Sequence, residues 1–147
     1  MAQKEPLTLT VRVVGWPEAE EAATRVRTEV FVHEQGVPPE IEMDDLDPVC
    51  AHALAEDAAG RPVGTGRLLP DGRVGRMAVL RAWRGRGVGR RILEALEAEA
   101  RRRGMKTLRL HAQVAARGFY ERLGYRAHGP VFEEAGIPHV EMEKDLN

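Results

Sequence analysis

Three strand-like runs follow one another with no helix between them: Ala51 to Glu56 (AHALAE), Pro62 to Leu69 (PVGTGRLL) and Arg73 to Val79 (RVGRMAV). An AAGR turn separates the first two, and Pro70-Asp71-Gly72 separates the second and third. Connections this short join antiparallel neighbours, because a parallel crossover needs a much longer link. The middle of the chain is therefore an antiparallel meander. It leads straight into Arg81 to Leu96, RAWRGRGVGRRILEAL, where Gly85, Gly87 and Gly89 precede a helix. That order limits what the glycine turn can be. A nucleotide P-loop requires GxxxxGK[ST], and no Lys-Ser or Lys-Thr follows these glycines. A dinucleotide fingerprint requires GxGxxG inside a parallel βαβ unit. Gly85 and Gly87 fit it, but Arg90 stands at the third position and a meander comes before it.

The flanks complete the pattern. Leu7 to Val14 (LTLTVRVV) has strand composition. Pro17 starts a helix from about Glu18, with Ala22, Val26 and Val30 on one face. It ends in HEQGVPPE, where Gly36, Pro38 and Pro39 break it. Ile41 to Val49 reads as an acidic loop. After the glycine turn, Val88, Ile92, Leu96 and Ala100 form a buried helical stripe with Leu93 beside it, and Gly104 is a C′ residue. Lys106 to Ala112 is a strand, and Val114 to Leu123 a short helix ended by Gly124. Tyr125 begins another strand and His139 to Lys144 is the last. The order is β-α-βββ-α-β-α-β-β, an α/β sheet of mixed strand direction.

The length of 147 residues fits a single domain, 1–147, large enough to bury a core without disulfides. A net charge of −1 argues against a general nucleic-acid partner. Cys50 is the one cysteine, which excludes an intrachain disulfide and a multi-cysteine metal site; it reads as a small core residue. His52, His128 and His139 are scattered and have no metal-ligand spacing, so no metal is expected. The first residues carry no apolar signal core and no run of about 18 apolar residues occurs, so a cytoplasmic protein without a membrane partner is expected. Charge is segregated. Arg81 to Arg103 holds eight arginines, while Glu29 to Asp47 holds seven carboxylates and neither Lys nor Arg. One stretch suits an anionic ligand and the other a cationic one, unless both are simply solvated faces.

Two readings of the glycine turn stand side by side. It is a tight turn made soluble by arginines, or it is a pyrophosphate cradle. In the second, the amides of Gly85, Arg86, Gly87, Val88 and Gly89 converge at a helix N-terminus, and Arg84, Arg86 and Arg90 supply charge. The order Arg84-x-x-Gly87-x-Gly89, after the strand RMAVL and before an amphipathic helix, resembles the acyl-CoA pyrophosphate loop of the GNAT (GCN5-related N-acetyltransferase) superfamily. Gln113 to Tyr125, QVAARGFYERLGY, resembles a second signature of that superfamily, N-x-x-A-x-x-F-Y-E-x-x-G-F/Y. Ala116, Phe119, Tyr120, Glu121, Gly124 and Tyr125 match it, and Gln113 replaces the usual Asn. FVHEQGVP, VGTGRLLPDG and FEEAGIPHVEMEKDL are similar to the ElaA-type subgroup, so the resemblance covers nearly the whole chain.

The resemblance implies a GNAT fold: a mostly antiparallel mixed sheet, flanked by helices, with a V-shaped split between strands four and five. It implies that the strand Met77-Ala78-Val79 lends backbone groups to the pantetheine arm and to the thioester oxygen. The Arg84 to Gly89 turn would take the pyrophosphate, with Gln113, Ala116 and Phe119 lining the cofactor. The cosubstrate would be acetyl-CoA, the acceptor a small-molecule or peptide amine, and a homodimer is common in the family. Tyr120 would protonate the leaving thiolate, since a phenol of pKa about 10 is still protonated where a thiol of about 8.5 ionises. The base is open among His111, Glu34, His33 and the acids Asp44, Asp45 and Asp47. Arg67 and Arg76 would meet an acceptor carboxylate or pair within the sheet. Two other functions fit the same residues: a non-catalytic acyl-CoA-binding module, and a nucleotide-phosphate binder.

Overall fold

The computed structural model describes residues 8–146, so Leu7 lies outside the described residues. One sheet carries the strands β1 (Thr10–Val14), β2 (Ala51–Glu56), β3 (Pro62–Leu68), β4 (Arg73–Val79), β5 (Thr107–Gln113), β6 (Arg126–Glu134) and β7 (Ile137–Asp145). Their spatial order is β1-β2-β3-β4-β5-β7-β6. Neighbours are antiparallel except β4 and β5, which run parallel. The meander read from the sequence is β2-β3-β4.

Among the described residues four α-helices accompany the sheet: α1 (Trp16–Arg27), α2 (Pro39–Glu42), α3 (Val88–Arg102) and α4 (Arg117–Arg122). Side-chain alternation in β2 assigns the faces. Ala51, Ala53 and Ala55 join the core under α3, while Leu54 packs with Ala19 and Ala23 of α1 on the opposite side. Val88, Ile92, Leu93, Leu96 and Ala100 are all buried, as their spacing predicts. The helix lies close to β3 because that strand reads Gly-Thr-Gly. A Cβ on Gly64 would stand 2.7 Å from Ile92 Cδ1, and one on Gly66 would stand 3.1 Å from Ile92 Cγ2.

Several boundaries differ from the sequence reading. The buried stripe of α1 is Ala19, Ala23, Val26 and Val30, while Ala22 is only half-buried. The helix does not run unchanged to Gly36. From Thr28 to Glu34 it widens into a π-helix, in which the Gln35 amide reaches back to the Val30 carbonyl. The segment read as an acidic loop contains α2 and a 3-10 turn at Asp47–Val49. Val114–Ala116 is likewise a 3-10 turn ahead of α4. Tyr125 precedes β6 rather than opening it, because its buried hydroxyl donates to Glu97 Oε2 at 2.7 Å.

The split between β4 and β5 has a local cause. The two strands register only at Arg73↔Arg109 and Val74↔Leu110. On the other edge of β4 the register with β3 jumps between Thr65↔Ala78 and Arg67↔Gly75. Arg76 and Met77 together oppose Gly66, a β-bulge, and Arg76 takes a left-handed φ of 50°. The bulge bends β4 away while β5 stays paired with β7 as far as Gln113↔His139. A V-shaped opening results, and it is where the candidate site lies.

Candidate active site

A cleft of about 560 Å³ occupies the split. Met77 faces it from β4, Arg109, His111 and Gln113 from β5, and Ala116 and Tyr120 from the turn and helix that follow. Alternation explains the β5 set: Leu108, Leu110 and Ala112 are buried against α3, which directs Arg109, His111 and Gln113 to the other face. The Met77 to Val79 edge of β4 pairs with β3 only, so its β5-facing backbone groups border the opening. Ala78 itself is buried.

Tyr120 is buried at 8% exposure and held edge-on by Phe119 and Tyr125. Its hydroxyl makes no hydrogen bond to a described residue, yet the side chain lines the cleft. Burial pushes its pKa up to about 12. The phenol is therefore a proton donor throughout the neutral range. Gln113 is tied across the cleft to Gln35 by paired amide hydrogen bonds, 3.0 and 3.4 Å. The π-helix is what delivers Gln35 there. His111 faces Glu134 Oε1 at 3.3 Å and meets Phe132 edge-on.

The glycine turn sits beside this cleft at the head of α3. Gly85 and Gly87 have φ of 73° and 83°, and Gly87 is the N-cap. Their Cβ positions would meet nothing, so glycine is required there by backbone conformation and not by a crowded neighbour. Gly89 differs: its Cβ would press on Phe119 Cζ at 3.3 Å. The first helical bond of α3 runs from the Arg91 amide to the Gly87 carbonyl. The amides of Val88, Gly89 and Arg90 precede it and have no intrahelical acceptor. Val88 buries its side chain, leaving its amide for the turn.

The arginines of the turn are held. Arg84 donates to both oxygens of Glu34, at 2.6 and 2.7 Å, and through Nε to the Val79 carbonyl at 2.9 Å. Arg86 stacks on Trp83 at 4.5 Å, and Arg90 reaches Glu94 at 3.4 Å. Glu34 thus belongs to the glycine turn and not to the cleft. The hydrogen bonds from Arg84 hold its carboxyl below the usual range, which weakens it as a base. His33 is exposed and bonded to Glu29, on the outer side of the same helix.

The acidic segment is the largest departure from the sequence reading. Asp45 is exposed and makes no side-chain hydrogen bond or ion pair with a described residue, but Glu42, Asp44 and Asp47 are not a free rim. Glu42 and Asp47 are buried and bind Arg27 of α1. Asp44 accepts both terminal nitrogens of Arg67 at 2.7 and 2.8 Å, and Arg76 Nη2 at 3.1 Å. Arg67 also binds Asp47 at 2.9 Å. Three arginines and three carboxylates close on one another, with buried His52 on the Asp47 carbonyl. Hydrogen bonds from Arg67 hold Asp44 far below the ordinary carboxylate range. Burial would raise Asp47, but Arg27 and Arg67 outweigh it and its pKa is lowered. Cys50 is buried beside this network, its thiol on the Leu46 carbonyl and its pKa raised by burial. Among the described residues, no group of three or more His, Cys, Asp or Glu is arranged to hold a metal.

A mixed sheet split at its one parallel pair, a glycine turn at a helix N-terminus and a buried tyrosine in the split define an acyl-CoA-dependent acyltransferase. Residues 18–146 match the acetyltransferase (GNAT) domain model, and the chain belongs to that family. It is 44% identical over 124 residues to the uncharacterized N-acetyltransferase YjcF of Bacillus subtilis (strain 168), covering 82% of this chain and 88% of that one. The crystal structure of an acyl-CoA N-acyltransferase from Pseudomonas aeruginosa superposes with a TM-score of 0.81 at 32% identity, covering 93% of this chain and 99% of that one. Escherichia coli ElaA has the same TM-score at 27% identity and the same coverage. The chain is thus an N-acyltransferase that uses acyl-CoA. No helix among the described residues is long and apolar enough to cross a membrane.

Proposed function

We propose that the protein moves the acetyl group of acetyl-CoA directly to a primary amine of a small-molecule or peptide acceptor in the cytoplasm, within one ternary complex. The observation that carries this reading is Tyr120, a buried ring that lines the cleft between β4 and β5 and whose hydroxyl has no hydrogen-bond partner among the described residues. The neutral amine nitrogen bonds to the thioester carbon and gives up one proton to the base, the C–S bond breaks, and the thiolate takes the Tyr120 proton. The tyrosinate regains its proton, by way of solvent, from the one the amine released. Direct transfer is supported by Cys50, which is buried outside the cleft and offers no covalent way-station. The edge of Met77 to Val79 suits the pantetheine and the thioester oxygen. The Gly85 to Arg90 turn suits the pyrophosphate, with Arg84 exchanging Glu34 for phosphate oxygens.

The test is an acceptor screen with acetyl-CoA read by thiol release. Turnover with any amine supports the reading, and acetyl-CoA binding with no turnover across all amine classes favours a non-catalytic module. Gly87→Val is expected to lower acetyl-CoA affinity at least 10-fold by calorimetry. Forcing a branched residue to positive φ costs roughly 1–2 kcal/mol and distorts the turn. Unchanged affinity would remove the turn from the site.

We assign the base to His111, on the cleft face of β5 and oriented by Glu134. The requirement depends on the acceptor. A lysine-like amine of pKa about 10.4 carries an unfavourable deprotonation of roughly 4.6 kcal/mol at pH 7, and an α-amine of about 8 only about 1.4. His111→Gln is therefore expected to reduce kcat/KM more for alkylamines than for α-amines. An equal loss for both would make His111 structural.

A further inference from the structure

At the closed end of the split, the last pair of β4 and β5 places Arg73 directly opposite Arg109. Both side chains line the cleft. Like charges directly opposed across strands are destabilising, and a conflict of this kind is most often kept at a functional site. Arg73 reaches Asp71 at 2.9 Å on the same turn. On its other side Arg109 registers with Glu143 of β7, but that carboxylate lies 3.6 Å from Arg126 and 3.7 Å from His128 of β6, and Arg109 itself makes no side-chain hydrogen bond or ion pair with a described residue.

The surrounding charges deepen the asymmetry. Arg76 enters the same end of the cleft from the bulge, bonded to the Glu42 carbonyl and to Asp44. The carboxylates nearest to it, Glu42 and Asp44, are already bound by Arg27 and Arg67. The remaining acids of the lining, Glu134 and Glu141, lie toward β6 and β7, where they face His111 and His128. The cleft is therefore positive at its closed end and negative at the end that holds His111. Arg109 and His111 are successive residues on one face of β5, about 7 Å apart along the strand.

We propose that the acceptor amine also carries an anionic group, a carboxylate or a phosphate, and that Arg109 with Arg73 binds that group while the amine lies toward His111 and Tyr120. The planar guanidinium matches either oxyanion with two parallel hydrogen bonds. The anion would also relieve the Arg73–Arg109 repulsion. This assignment rests on the acetyl-transfer reading above and specifies its acceptor.

Matched amines test it: 4-aminobutyrate against butylamine and 1,4-diaminobutane, and phosphoethanolamine against ethanolamine, each with acetyl-CoA and read by thiol release. The anionic member of a pair is expected to have at least 10-fold higher kcat/KM. The pair in which this holds tells carboxylate from phosphate. Arg109→Gln should erase the preference by raising KM for the anionic member, with acetyl-CoA affinity by calorimetry unchanged, and Arg109→Lys should restore part of it. Equal use of all members, preference for the diamine, or a preference that survives Arg109→Gln overturns the proposal. A product arm separates it from the acetyl-transfer reading. CoA-loaded protein is melted with N-acetyl-4-aminobutyrate, O-phospho-N-acetylethanolamine or N-butylacetamide. Stabilisation by an anionic amide alone, lost in Arg109→Gln, upholds the anion site even if no amine turns over. Equal stabilisation by all three, or none, overturns it.

Discussion

Tyr120→Phe is expected to lower kcat by roughly 10²- to 10⁴-fold, the range for loss of a positioned general acid, while acetyl-CoA affinity stays within a few-fold. The change removes one oxygen and keeps the ring. Tyr120 packs edge-on against Phe119 and Tyr125, and its hydroxyl holds no described residue, so the fold loses no internal hydrogen bond. A phenylalanine variant that melts like the wild type but turns over slowly places the effect in chemistry. Unchanged turnover would mean that water protonates the thiolate. The pH profile adds a second check. With Tyr120 raised to about 12, the hydroxyl stays protonated over the working range. The rate should climb as the acceptor amine loses its proton, and should show no alkaline descent below about pH 10.

Arg67→Met is expected to destabilise the fold by about 3–5 kcal/mol, because removing one partner of a buried ion pair leaves the others uncompensated. Arg67 is 4% exposed and binds two carboxylates, one of them the buried Asp47. For a chain of this size the loss lowers Tm by on the order of 10 °C. Urea unfolding measures it, and a loss under about 1 kcal/mol would show that the network contributes little. The same groups predict an acid limit. Asp44 and Asp47 have folded pKa values below their unfolded ones, so the unfolded chain binds more protons in between. Their stabilisation is fully present above the unfolded value of about 3.9 and is lost as pH falls through the depressed folded values. In Arg67→Met the Asp44 depression is relieved, so stability should fall less steeply with acid. This also revises what the acidic segment does. Neutralising Asp44 and Asp45 to weaken a cationic acceptor would instead break an internal network at Asp44.

The elements and their order were legible because they depend on short-range rules. Turn residues at Pro70-Asp71-Gly72 dictated a hairpin, and Val88, Ile92, Leu96 and Ala100 at helical spacing dictated a buried face. The two motifs marked the glycine turn and the Tyr120 helix from local pattern alone. The structure brings Met77, His111, Gln113, Ala116 and Tyr120 to one cleft. The π-turn was not legible, since its hydrogen bonds shift by one residue without changing which side chains look apolar. Nor was the bulge at Arg76, where nothing but a left-handed φ on an ordinary residue records it.

Charge is where local reading stops. Seven carboxylates between Glu29 and Asp47, with no cation among them, look like an exposed anionic surface. Three of them, Glu42, Asp44 and Asp47, find counter-ions 15 to 34 residues away, Arg27 from one helix and Arg67 and Arg76 from two strands. Glu34 is claimed by Arg84, 50 positions on. An ion's role depends on what lies within a few ångströms of it, and pairing over such separations is set by sheet register and helix docking. The spacing of residues therefore specified the strands and helices, and the resemblance of two motifs pointed to the family and to Tyr120. Only the packed chain decided which charges cancel and which, like Arg109 beside Arg73, are left facing the cleft.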